Sequence, residues 1–173
     1  MASKKYYFLV LCALILFILY YPYCLGFRIN ITQSMSRGIY QAVNSQILHN
    51  DIVYFCLDSE PFTTLAIERG YLKKGSCPNG LEPLVKIVCG LPGDTIDITS
   101  AEILINGQML PMSKILSNDH YQRPLPPSEL KSGIIPAGMA LVLSDHHSGG
   151  FDSRYFGLVK LTSLQKVQPI WIF

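Results

Sequence analysis

The hydroxyls of Thr32 and Ser34, the amine of Lys86 and a dense polar stretch from Ser144 to Gly157 are the parts of this chain best suited to chemistry. Thr32 and Ser34 lie in the polar run Asn30-Ile-Thr-Gln-Ser-Met-Ser-Arg-Gly-Ile-Tyr40. A serine hydroxyl is a weak nucleophile until a neighbouring base takes its proton. Lys86 sits in the apolar run Leu84-Val-Lys-Ile-Val-Cys89, and burial there would lower its pKa. A neutral lysine amine is a usable general base near pH 7. Plainer readings stand beside these. Ser34 is one of several loop serines, a strand lysine usually faces solvent at a sheet edge, and Asp152 with Arg154 can be a purely structural ion pair. His146 and His147 are adjacent, so on extended backbone they point opposite ways. They lack the spaced partners of a zinc site, and no metal or cofactor is expected. His49 and His120 are isolated in loops and are assigned no role.

The elements that must position these groups read as short strands. Gly38 to Val43, Asp51 to Cys56, Leu84 to Cys89, Thr95 to Thr99, Glu102 to Ile105, Met139 to Leu143, Leu158 to Thr162 and Val167 to Ile172 carry strand patterns. Gly90-Leu-Pro-Gly-Asp94 and Asn106-Gly107 are strong turn signals. Thr64 to Arg69 reads as a short helix stopped by Gly70, and the Pro-rich segment from Leu110 to Ser132 as a long loop or small flap. The expected fold is mainly β, a coiled sheet or barrel-like domain.

The N-terminus differs from the rest. Lys4 and Lys5 precede an uncharged run from Tyr6 to Tyr21, which Pro22 to Phe27 extend as far as Arg28. That pattern implies cytoplasmic residues 1–5, a membrane anchor over 6–22 and an extracytoplasmic domain over 23–173. A cleaved signal peptide is the rival, but no A-x-A site follows and the apolar run is long for one. Charged residues make up 15%, and the net charge of +2 argues against a nucleic-acid partner. Cys12 and Cys24 fall in or beside the anchor, and Cys89 reads as a small buried residue. Cys56 and Cys77 remain, either bridged in an oxidising compartment or as free thiols.

Taken jointly, Ser34-Met35 with Gly38, Asp51-Ile-Val-Tyr-Phe55, Lys86 with Gly90-Leu-Pro-Gly-Asp94, and Phe151-Asp-Ser-Arg-Tyr-Phe-Gly157 resemble the type I signal peptidase family. The Asn30-x-Thr32-x-Ser34 start and the Glu68-Arg-Gly-Tyr-Leu-Lys-Lys-Gly-Ser-Cys-Pro78 segment are most similar to its conjugative-transfer, TraF-type branch. The resemblance implies Ser34 as nucleophile, Lys86 as base, and the Ser34 amide and Thr32 hydroxyl as oxyanion donors. It gives Asp145, Asp152, Ser153 and Arg154 bracing roles, and Met35 a place at the membrane-facing surface. Three positions depart from the pattern. Ser36 stands where proline is usual, and Ile87 where an arginine commonly follows the base. Gly150 stands where many members carry a serine that orients the lysine, with Ser148 or Ser153 as the nearby substitutes.

The function implied is a serine endopeptidase of the inner membrane, with its domain on the periplasmic side. Its substrate would be a preprotein or pilin with small residues before the cut. Maturation, including cyclisation, of a conjugative or type IV secretion pilin is the leading expectation, which makes transfer-system components and membrane lipid the other partners. A general signal peptidase for secreted proteins and an inactive anchored assembly factor are the alternatives.

Overall fold

The computed structural model describes residues 2–32, 34–100, 102–145 and 149–173. Helix α1, Ala2–Cys24, has 23 residues and so spans about 34 Å, enough for a bilayer core of about 30 Å. It is the described helix long and apolar enough to cross a membrane. The chain then enters β1 (Phe27–Asn30), β2 (Gly38–Ala42), β3 (Ile52–Phe55), α2 (Phe62–Arg69), β4 (Leu84–Gly90), β5 (Thr95–Thr99), β6 (Glu102–Ile105) and β7 (Gln108–Met109). It ends through β8 (Gly133–Ile134), β9 (Met139–Leu143), α3 (Ser153–Phe156), β10 (Val159–Lys160) and β11 (Gln165–Ile172). A mainly β domain is what the alternation of apolar residues led one to expect.

The strands form two antiparallel sheets, one ordered β1-β2-β11-β3-β4-β9-β10 and the other β7-β6-β5-β8. The long strand β11 is shared, because its first residues pair with β3 and the rest with β2. Its register shifts between Pro169 and Trp171, where a proline cannot donate to the ladder. Gly38 meets this bulge so closely that a Cβ there would lie 2.2 Å from the Trp171 carbonyl oxygen. Strand β9 is buried on both faces. Ala140 and Val142 join a core with Val53, Phe55, Phe62 and Val88, while Leu141 and Leu143 join Ile96, Ile103 and Ile135. That double burial explains its unbroken apolar sequence.

Several local signals have clear causes. Gly70 ends α2 in the left-handed conformation at φ 69°. Asp94 closes the turn after β4 by accepting from the Leu91 amide at 2.7 Å and from Asn106 Nδ2 at 2.8 Å. The Gly90-Leu-Pro-Gly-Asp94 motif is therefore a splice between the two sheets. Cys56 and Cys77 form a disulfide that ties the end of β3 to the loop before β4. Closing a 21-residue separation is worth about 3 kcal/mol in the loop-entropy account. Cys89 stays a thiol, and burial pushes its pKa up to about 12, so it is inert at neutral pH.

Candidate active site

The loop that carries Ser34 is built on one side chain. Asn30 ends β1 and is 3% exposed. Its Oδ1 accepts from the Thr32 amide at 3.1 Å and the Thr32 hydroxyl at 2.7 Å. Its Nδ2 donates to the carbonyls of Met35 at 3.2 Å and Ser36 at 3.0 Å. The Ser36 carbonyl also accepts from Tyr40 Oη at 2.6 Å. Hydrogen bonds thus brace the turn at the position where a proline was missing. The Thr32 proton is directed at Asn30, so Ser34 Oγ, 3.2 Å from Thr32 Oγ1, is the donor of that pair at rest.

Lys86 is placed by the period of β4. It shares a face with Leu84 and Val88, which belong to the core, and it is 1% exposed. The plain reading of a solvent-facing strand lysine is therefore overturned. Its amine donates to Ser144 Oγ at 2.9 Å. Burial lowers its pKa to about 8, opposed by the charge of Asp152 and reinforced by that of Arg154.

The polar stretch after β9 connects the two halves. The Ser144 amide donates to Asp152 Oδ2 at 2.9 Å, and the Asp145 amide donates to the Ser34 carbonyl at 3.2 Å. Consecutive residues thus hold the lysine and the serine loop. Asp152 and Arg154 are both fully buried and ion-paired at 2.6 Å, and Arg154 also donates to the Met112 carbonyl at 2.9 Å. Asp152 thus has a cationic partner in Arg154, although Ile87 stands where an arginine was usual. Ser153 does not serve the lysine; its hydroxyl accepts from the Val142 amide at 3.1 Å. Ser148, like His146 and His147, lies outside the described residues. Ser144 and Asn30 are the residues that sequence reasoning gave no role of their own. For Asn30 the signal available was an amide just before a turn of hydroxyl residues.

Thr32, Ser34, Lys86 and Gly150 line one cleft of about 750 Å³. It is also lined by Gly70 to Leu72, just past the C-terminal end of α2, and by Leu116 to His120 in the long loop. That loop is pinned to α2, because Asp119 accepts from Tyr71 Oη at 2.6 Å and Arg69 donates to the Pro124 carbonyl at 2.7 Å. Among the described residues, Leu84 to Lys86 pair with β3 on one side only, since β9 joins β4 from Ile87 onward. An extended peptide could add to that edge as a further strand. A buried amine of lowered pKa, a hydroxyl and an open strand edge in one cleft suit acyl transfer to serine. Replacing Asn30 with alanine would orphan the Thr32 amide and two carbonyls. It is expected to cost about 1–3 kcal/mol in a denaturant melt, and an unchanged midpoint would show that the loop holds without it.

The sequence matches the family described as Signal peptidase, peptidase S26 over residues 3–171, and the chain belongs to that family. It is 33% identical over 142 residues to the plasmid transfer protein TraF of Escherichia coli, covering 82% of this chain and 80% of that protein. It is 32% identical over 151 residues to the conjugal transfer protein TraF of Agrobacterium tumefaciens, with coverage of 86% and 84%. A signal peptidase I of Leptolyngbya laminosa is 38% identical over 82 residues, or 47% of this chain and 37% of that one. Among solved structures, a signal peptidase I of Enterococcus faecalis aligns with a TM-score of 0.42 at 25% identity, covering 72% of this chain and 97% of that one.

Proposed function

We propose that this chain is a membrane-anchored serine endopeptidase in which Ser34 is the nucleophile and Lys86 the general base. The observation that carries the reading is the buried Lys86 amine opening into the same cleft as Ser34. Neutral Lys86 takes the proton of Ser34 Oγ as that oxygen attacks the scissile carbonyl. The oxyanion is met by the Ser34 amide and by the Thr32 hydroxyl, which turns its proton from Asn30. Lys86 then passes the proton to the leaving amine, and an ester of Ser34 remains. Water resolves it to a linear product, and the substrate's own amino end resolves it to a cyclic one.

Helix α1 leads into β1 with little slack, and Arg28 stacks on Tyr23 of that helix at 4.1 Å. The exposed Ile29 and Trp171 lie on β1 and β11, Ile31 and Phe173 directly follow those strands, and the four suit a lipid interface. Such a tether keeps the cleft where exported chains emerge, on the periplasmic side of the inner membrane. The near full-length similarity to plasmid transfer proteins favours a pilin of a transfer system over a broad set of secreted preproteins.

The test is mass spectrometry of a candidate pilin precursor incubated with membranes carrying the full chain. A shorter product is expected, and one lacking a further water would be cyclic. A precursor of unchanged mass, also with signal-peptide reporters, would sink the enzyme reading in favour of an assembly factor.

A further inference from the structure

Lys86 meets its hydroxyl partner from the first residue beyond β9, and Ser144 is only 5% exposed. Gly150 borders the same space. A Cβ at Gly150 would lie 2.0 Å from Ser144 Oγ and 2.6 Å from Ser144 Cβ. Gly150 is not among the glycines of positive φ, so its backbone does not demand glycine. What the missing side chain supplies is room. The space holds one hydroxyl, and it could hang from either wall.

We propose that Ser144 is the positioning residue for Lys86, and that positions 144 and 150 form an exchangeable pair in which one carries the hydroxyl and the other must be glycine. The proposal rests on reading Lys86 as the base. A neutral amine has two N–H bonds and one lone pair. With one N–H directed at Ser144 Oγ, rotation about the Cε–Nζ bond is restricted and the lone pair is turned away from Ser144. Ser144 is itself held by Asp152 through its amide, and the next amide grips the Ser34 carbonyl. The lysine's acceptor and the backbone of the nucleophile loop therefore move together.

The test compares the full-length wild type with S144A, S144G, G150S, the double variant S144G/G150S and S34A, all in detergent micelles. Two readouts are taken: cleavage of a preprotein reporter with an Ala-x-Ala cut site, and the NMR titration of ¹³Cε-labelled Lys86. S144A is expected to lower kcat about 10–100-fold with KM within about twofold. Its Lys86 midpoint should fall by about half a pH unit or more, because the ammonium loses an acceptor. G150S should also lose activity through crowding. S144G/G150S should regain kcat to within about fivefold of wild type, together with the wild-type midpoint. An S144A protein with unchanged kcat and midpoint would overturn the proposal. So would a double variant no better than S144G. If S34A cleaves as well as wild type, the reading of Ser34 as nucleophile fails by itself, while the lysine titrations still decide the role of Ser144.

Discussion

With Lys86 replaced by methionine, the protein is expected to melt higher at pH 7 and to lose about 10³–10⁴ of its turnover. Methionine fills much the same volume and carries no charge into a site that is 1% exposed. The stability gain follows from linkage. In the folded protein the lysine titrates at about 8, and in the unfolded chain near 10.4. Below about pH 8 the folded state holds a buried ammonium, and its cost is fully present. As pH rises from there towards about 10.4, only the unfolded state keeps the proton, and the cost fades. The advantage of K86M should therefore be about 1–3 kcal/mol at pH 6–7 and shrink above pH 8. The same titration predicts wild-type cleavage that climbs with pH through about 8. Melting curves across pH and a rate profile check both halves. A K86M protein that cleaves at the wild-type rate removes Lys86 from the chemistry, and a flat wild-type profile removes its titration.

Replacing Asp152 by alanine is the most damaging change expected outside Ser34 and Lys86. Its carboxylate accepts from Arg154 Nη2 at 2.6 Å, from Arg154 Nε at 2.8 Å and from the Ser144 amide at 2.9 Å, with no solvent exposure. Burial by itself lowers the pKa of Arg154, but the bonds to Asp152 outweigh it and hold the value raised. Alanine removes the carboxylate paired with this buried guanidinium, at a cost of about 3–5 kcal/mol. It also frees the Ser144 amide, so the lysine's acceptor loses its place. Urea melts should show that loss for Asp152→Ala and a smaller one for Asp152→Asn, which keeps the shape and an acceptor. Equal stability of the alanine variant and the wild type would mean that Arg154 finds another partner or reaches water. A stable D152A protein with normal cleavage would also detach the pair from the site.

The period of the apolar residues was enough to locate β5, β6 and β9, because alternation and turn residues are local properties. It did not place Lys86, because Leu84 to Cys89 is apolar on both sides of the lysine; its burial beside Leu84 and Val88 came from the structure. The stop of α2 at Gly70 was legible, since a left-handed residue there needs only the chain's own neighbours. Strand β1 was not legible; its four residues follow a long apolar helix and pair with β2 across a tight loop.

The linear chain by itself determined which groups are at hand: a serine shortly after an apolar helix, a lysine in an apolar strand, and a polar loop with an acid and an arginine two residues apart. Only the tertiary structure decided how these meet. Which serine reaches Lys86 depends on where β9 leaves β4, and that exit is set by the Ser144 and Asp145 amides bonding to Asp152 and Ser34. The role of Asn30 depends on a loop folding back over one side chain, and the empty space at Gly150 on what faces it. Hydrogen bonds between segments distant in sequence have no period, so the spacing of residues carries no trace of them.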